Sequence, residues 1–368
     1  MKTKILSFAK ANAVVLIAAT AALVTSFIIP PDRAYLGYFD LKTLTCLFCV
    51  LAVVCALRNI RFFYTLAKAI IRKFKNTKYS ILALVYITFI GSMLIANDMA
   101  LLTFLPLGYF VLRTTGKEKY MAFTYIMQNI AANLGGMLTP FGNPQNLYLY
   151  TKFSIPDGEF IRIMFPPFIV AISLITALCL IFVKSEPLEI EEKAAELPKA
   201  RVAIYLVLFA LSILIVFRTI PFYIGLIVIP IALLFLDREA LKSVDYGLLL
   251  TFVFFFIFSG NMARIDAVRS FFSSLLERNT LLFSALSCQV ISNVPSAILL
   301  SQFTANYRDL LLGVNIGGVG TLIASLASLI TFKAYSKDQP GNTLSYVIKF
   351  TAFNVLFFAV LVIFCALI

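Results

Sequence analysis

The sequence predicts an all-α polytopic membrane protein: an inverted repeat with two re-entrant hairpins, two broken transmembrane helices and about nine full spans. Three observations carry this. The 368 residues are 61% hydrophobic and 13% charged, with a mean hydropathy of +0.94, far beyond the roughly 45–50% apolar content of a soluble domain. Within this apolar chain, residues 95–147 (IANDMALLTFLPLG, a short basic link, then QNIAANLGGMLTPFGNPQNL) keep a series of amides and hydroxyls and, outside the link, one carboxylate, Asp98. A weaker copy of that stretch returns at 287–331, as SCQVISNVPSAILLSQF followed by LLLGVNIGGVGTLIASLASLIT.

The net charge of +13 does not point to nucleic acid, because the basic residues are spread through short loops and no soluble domain gathers them into one patch. Histidine is absent, so any titrating group is a carboxylate or a lysine. Cys46, Cys49, Cys55, Cys179, Cys288 and Cys365 all lie in apolar segments and read as small buried hydrophobes, with neither a disulfide framework nor a metal site.

The elements follow in order. Lys2, Lys4 and Lys10 precede an apolar run from Ala11 to Ile29 that resembles a signal peptide; the run is long and ends in Ile-Pro-Pro without a small-x-small site, so it reads as a retained first span. Spans at 12–30 and 41–58 precede residues 60–77, whose mixture of Phe, Ile and basic side chains suits a helix lying in the membrane interface. Two apolar arms, 79–96 and 98–113, join at Asn97-Asp98. Residues 120–151 are interrupted at Gly135-Gly136 and again at Thr139 to Pro144, and 163–183 is a span. The hydrophilic loop 184–201 links two halves. Spans at 202–217, 219–236 and 245–260 follow, then an amphipathic piece at 264–278, short arms at 280–291 and 294–304, a Gly-interrupted segment at 309–333 and a last span at 345–367. The short arms cannot cross hydrocarbon of about 30 Å at 1.5 Å per residue, which makes them a re-entrant hairpin.

The second half therefore repeats the first. Asn133-Leu-Gly-Gly136 answers Asn315-Ile-Gly-Gly318, and Asn97 answers Asn293. The expected division is a first repeat at 1–184, a cytoplasmic linker and connecting helix at 185–218, and a second repeat at 219–368. Five true crossings between matching points invert one repeat relative to the other. Charge supports this drawing: with the N-terminus in the cytoplasm, 21 of the 31 basic residues fall in cytoplasmic segments, 9 fall outside, and Lys349 lies within the last span. The expected location is the cell's inner (plasma) membrane.

Breaking a helix at membrane depth exposes backbone groups, which is tolerated where they line a cavity or are satisfied by protein. Gly142-Asn143-Pro144-Gln145 reads as an N-cap followed by Pro at the first helical position. The tips Asn97-Asp98 and Ser292-Asn293 each begin a second arm. Converging helix N-termini favour an anion, and carbonyls released at the glycine breaks suit a small cation such as sodium. The candidate substrate ligands are Asn97, Asn143, Asn146, Ser292, Asn293 and Thr321. The candidate cation- or proton-coupling positions are Asp98, Asn97, Thr139, Gly142, Asn293 and Gly318. Asp98 reads either as an N-cap for its arm or as a cation ligand and proton carrier. The amides read as caps or as ligands, and Asn133 and Asn315 as ligands or as interhelical bonds. No catalytic group is indicated.

At Ala96-Asn97-Asp98, at Gly135 to Asn146 (GGMLTPFGNPQN), at Ser292-Asn293-Val294-Pro295 and in the inverted repeat, the chain resembles the ion transporter superfamily. The branch is that of arsenite pumps and sodium/proton antiporters, together with citrate-transporter-like and divalent-anion-symporter-like permeases. The resemblance implies a homodimer and an elevator-type carrier without cofactors beyond a bound sodium ion. The symporter members carry Ser-Asn-Thr at both tips, whereas Ala-Asn-Asp and Ser-Asn-Val stand here, and Asp98 tilts coupling toward protons or a different ion. The expected function is secondary transport of a small anion, citrate or a dicarboxylate, coupled to sodium or protons. The alternatives are sodium/proton antiport and efflux of arsenite or another oxyanion; a membrane enzyme or a channel fits less well.

Overall fold

Long apolar runs with few internal breakers satisfy their backbone groups within themselves, which is why this chain folds as helices. The computed structural model describes residues 13–188 and 197–368. Lys2, Lys4, Lys10 and the middle of the 184–201 loop lie outside the described residues. Among the described residues the extended pairing is confined to an isolated bridge between Asn76 and Pro187. The chain is an all-α polytopic membrane protein.

The first half contains α1 (Ala13–Ile28), α2 (Leu41–Asn59), α3 (Phe62–Ile71), α4 (Thr77–Ile95), α5 (Asn97–Thr114), α6 (Met121–Gly135), α7 (Pro144–Lys152) and α8 (Asp157–Phe182). The second contains α9 (Lys199–Val216), α10 (Phe222–Leu236), α11 (Arg238–Lys242), α12 (Tyr246–Ala263), α13 (Asp266–Ile291), α14 (Asn293–Leu300), α15 (Tyr307–Ile316), α16 (Leu326–Asp338) and α17 (Thr343–Leu367). Among the described residues six helices are long and apolar enough to cross a membrane: α2, α4, α8, α9, α12 and α17 with the turn before it. The expected nine spans differ from these for two reasons. The apolar helix α1 is described only from Ala13, over 16 residues, and α10 has 15, and each broken segment is divided into two half-helices. Conversely α4 has the length of a span but is one arm of a hairpin.

Both hairpins close at their bases. The N–H of Thr77, at the start of α4, donates to the Glu186 carbonyl at 2.9 Å, and Lys117, just past α5, reaches the Glu186 carboxylate at 2.7 Å. The two arms thus return to one residue. In the second half α13 is divided at Asn279 (φ −164°, ψ 91°), whose Oδ1 accepts from Leu282 N–H and starts the arm 280–291 as expected. Phe272 on the other side of that division stacks on Phe303, past α14, with centroids 5.1 Å apart. The interfacial helix expected over 60–77 is shorter: α3 ends at Ile71, and Asn76 caps α4 by accepting from Lys78 N–H.

The packing is a frame and a core. In the frame α12 lies along α1, and α2 lies against α9 and α10. In the core the repeats interlock: α7, past the first break, packs on α14 and α15, while α16, past the second, packs on α5 and α6. Within each half the hairpin's first arm packs on the first half-helix, α4 on α6 and α13 on α15. All six cysteines are buried among these helices, as small apolar side chains.

Candidate transport site

Each hairpin turns on one residue with positive φ. Ala96 has φ 65° and ψ 152°, and Ser292 has φ 74° and ψ 159°, a region that L-residues enter only under strain. The first turn therefore lies one position before the expected Asn97-Asp98 junction and the second falls at Ser292, within the expected Ser292-Asn293 tip; Asn97 and Asn293 are the first residues of α5 and α14. Each Asn Oδ1 accepts the next residue's N–H at 2.9 Å, from Asp98 and from Val294. Each Asn N–H donates to the carbonyl that precedes the N-cap of the facing half-helix, Asn97 to Gly142 at 3.2 Å and Asn293 to Ala324 at 3.0 Å. Tip and break are thus tied by one backbone bond in each half.

The breaks match as well. Thr139 Oγ1 donates to the Met93 carbonyl at 2.7 Å, and Thr321 Oγ1 to the Gln289 carbonyl at 3.2 Å. A Cβ on Gly135 would strike the Phe89 carbonyl and Ser92 Oγ; one on Gly317 would strike Cys288 and the Ala285 carbonyl. Glycine is needed at both because helix backbones meet there without a side chain between them.

The carbonyls released at the breaks are already held by side-chain amides. Asn146 Nδ2 donates to the carbonyls of Gly136, Met137 and Thr139 at 3.2 to 3.3 Å, and Gln289 Nε2 to those of Gly317 and Val319 at 2.9 and 3.0 Å. Asn143 is the N-cap residue of α7, yet its side chain makes no cap bond. Its Nδ2 instead donates to the Asn133 carbonyl at 3.1 Å and to Asn315 Oδ1 at 3.3 Å.

These amides join the two repeats. Asn97 Nδ2 donates to Asn133 Oδ1 at 3.2 Å, and Asn315 Nδ2 to Asn146 Oδ1 at 2.6 Å. A Cβ at Gly318 would lie 3.1 Å from Asn293 Nδ2 and 3.5 Å from Asn133 Oδ1. Asn97, Asn133, Asn293 and Gly318 thus meet at one point, with Asn143, Asn146 and Asn315 linked beside them, all buried. Asn143 Oδ1 and Gln145 Oε1 are buried without a hydrogen-bond partner; such oxygens suit a hydroxyl donor or a cation. Of the other predicted residues, Gly142 accepts from Asn97 through its carbonyl, and Ser292 Oγ donates to the Ala324 carbonyl at 3.3 Å. The hydroxyls of Thr139 and the exposed Thr321 fasten the breaks to the hairpin arms, and Thr139 meets the amide cluster only through its carbonyl, on Asn146.

Asp98 faces elsewhere. It does not cap α5, whose N-cap is Ala96, and its Oδ1 is buried without a partner. It lines a cavity of about 20 Å³ between the core and the frame, with Leu51, Met99, Phe141, Leu147 and Asp245. That volume accommodates one water or a bare cation, not a molecule with several carbons. Asp245, which caps α12 by accepting from Leu248 N–H at 2.9 Å, is a second carboxylate on this cavity.

Outside the membrane-spanning segments, the Glu186 carboxyl is held well below its ordinary range. Hydrogen bonds from Lys117 and Lys119, at 2.7 and 2.6 Å, hold it down at about 2.

The chain is similar to the uncharacterized transporter MJ0456 of Methanocaldococcus jannaschii, 34% identical over 293 residues that cover 79% of this chain and 80% of that one. It is also similar to the inner membrane protein YbiR of Escherichia coli, 29% identical over 279 residues, 74% of each chain. The family model described as citrate transporter matches residues 5–308, so the chain belongs to the citrate transporter family.

Proposed function

We propose that this protein is a secondary transporter that carries a small carboxylate, citrate or a dicarboxylate, coupled to sodium or protons by an elevator motion of the core against the frame. The observation that carries this reading is the meeting of both hairpin tips and both helix breaks, one set from each repeat, through Asn97, Asn133, Asn293 and Gly318. The repeats, 1–184 and 219–368 joined by 185–218, place four helix N-termini near this cluster, and those ends attract carboxylate groups. Unpartnered amide oxygens on Asn143 and Gln145 would receive the hydroxyl of a hydroxy acid or a co-bound sodium ion.

Coupling belongs at the seam. Asp98 rides on the core and Asp245 on the frame, and both line one small cavity. Two like charges in a poorly solvated space repel. A proton or a sodium ion between them removes that repulsion and lets the core seat against α2 and α12, so loading of the cation biases the position of the core.

The test is uptake into liposomes by the purified protein. Citrate or a dicarboxylate accumulates under a sodium or a proton gradient, and Asp98→Asn abolishes the gradient dependence. Asp245→Asn, which keeps an N-capping side chain, shifts the pH or sodium dependence. Failure of every di- and tricarboxylate to move under either gradient sinks this reading. A second reading, sodium/proton antiport, is favoured by the cavity's fit to an ion alone. It is told apart by sodium-driven pH change inside liposomes that hold no organic anion.

A further inference from the structure

A second, larger cavity of about 310 Å³ opens where α2 ends and α3 begins, against one turn of α5. Arg58 and Arg61 line it together with Phe63, Tyr64, Leu102 and Thr103. It is separate from the Asp98 cavity and from the amide cluster, and shares no lining residue with the former. Arg58 is half-buried, with Nη1 3.4 Å from the thioether of Met99, and Arg61 is exposed. Among the described residues no carboxylate forms an ion pair with either guanidinium. Two guanidinium groups at one cavity, with the Tyr64 side chain beside them, make a donor set for anionic oxygens; the Thr103 hydroxyl is already given to the Met99 carbonyl at 2.8 Å.

The rest of the lining says which kind of anion. Phe63, Tyr64 and Pro106 provide apolar walls, and Leu102 on α5 is 47% exposed. The adjoining α3 is amphipathic, with Leu66 and Ile70 outward and Phe63, Ala67 and Ile71 inward, the pattern of a helix in the membrane interface. A soluble anion gains nothing from apolar walls; a lipid brings an anionic head and acyl chains to match both. This end of α2 is also the side on which basic residues concentrate, the side facing anionic lipids.

We infer that Arg58 and Arg61 bind the phosphate headgroup of an anionic phospholipid in this cavity. Held there, the lipid bridges the frame, through the α2–α3 junction, and the core, through α5. The inference does not rest on the substrate reading, and its test needs no transport.

The full chain is purified and reconstituted in nanodiscs of phosphatidylcholine with increasing phosphatidylglycerol, and retained lipid is counted by native mass spectrometry after release. Phosphatidylglycerol is retained by the wild type, and Arg58→Gln/Arg61→Gln weakens retention by about tenfold. Arg61→Gln alone, an exchange of an exposed side chain that leaves the junction's backbone bonds to Arg58 and Thr65 in place, weakens it severalfold, so the inference stays testable if the double variant folds poorly. A parallel arm adds inorganic phosphate to protein in neutral detergent and reads thermal unfolding. An arginine-dependent rise with phosphate, and no arginine-dependent retention of phosphatidylglycerol, overturns the lipid and makes a soluble oxyanion the occupant. Equal retention by wild type and both variants overturns the site.

Discussion

Ala96 and Ser292, one in each half of the chain, turn their hairpins with the same backbone, φ 65° and ψ 152° against φ 74° and ψ 159°. Neither is glycine. The strain of an L-residue in this region is about 1–3 kcal/mol, whereas adding a glycine costs about 0.4–1 kcal/mol through the unfolded chain. Strain wins, so Ala96→Gly raises the thermal midpoint of the purified protein by an amount matching about 1 kcal/mol. Ala96→Val, β-branched at positive φ, lowers it by more. A fall on substitution by glycine would mean that the tip does not hold this backbone in the resting protein.

The bond between Asn315 and Asn146, at 2.6 Å, joins the repeats directly. Asn315→Leu keeps the volume but leaves Asn146 Oδ1 buried without its donor, a loss of about 1–3 kcal/mol. Thr321→Ala removes an exposed bond of 3.2 Å and changes stability by less than about 0.5 kcal/mol. Chemical unfolding of the two variants side by side checks the contrast; equal effects would refute the placement of Thr321 at the periphery.

Much of this architecture is legible in the residues themselves. Arms too short to span hydrocarbon declare the second hairpin, the glycine pairs after Asn133 and Asn315 declare the breaks, and Pro144 after Asn143 marks the start of α7. What is not legible depends on packing between distant segments. Gln289 has no cap or turn signature, and its role in holding the Gly317 and Val319 carbonyls emerges only when α13 lies on the second break. Asp245 reads as an ordinary N-cap until α12 is found beside the first hairpin tip. Asn143 has the sequence of a cap, but the nearby Asn133 carbonyl and Asn315 compete for its amide and win. Asn97 and Asp98 are neighbours in sequence, and the helix turns them toward different places, the amide cluster and the seam.

Glu186 gives an acid dependence. Its folded value of about 2 lies below the ordinary 4.5 because Lys117 and Lys119 donate to it. A lowered carboxyl stabilises the folded form fully above 4.5, and that contribution is lost as pH falls from 4.5 toward 2. The segment after α8 should therefore loosen from the base of the first hairpin across that window, read by hydrogen exchange of Thr77, whose N–H donates to this strap at Glu186, and of Leu188, whose N–H donates from the strap to the Lys75 carbonyl. Glu186→Gln should bring the same loosening at neutral pH, and high salt should weaken the wild-type contact because Lys119 is exposed. No change in exchange on acidification or in the variant would show that the backbone bonds alone hold the strap.

Arg218 supplies the last test, because it ties frame to core. It stands in the loop after α9, with φ 62°, donates through Nη2 to the Tyr150 carbonyl at 2.6 Å, and lies 4.0 Å from the centre of the Tyr150 ring in the last turn of α7. If α7 moves with the core while α9 stays with the frame, this contact exists in one position of the core and breaks in the other. A stacked and hydrogen-bonded guanidinium is worth about 1–2 kcal/mol, so Arg218→Gln moves the balance between positions by about five- to thirtyfold. Spin labels at Lys152 and Thr219 read it as a second, longer distance that gains population in the variant. A single unchanged distance in wild type and variant would rule out sliding of α7 against this loop, and with it the elevator part of the proposed mechanism.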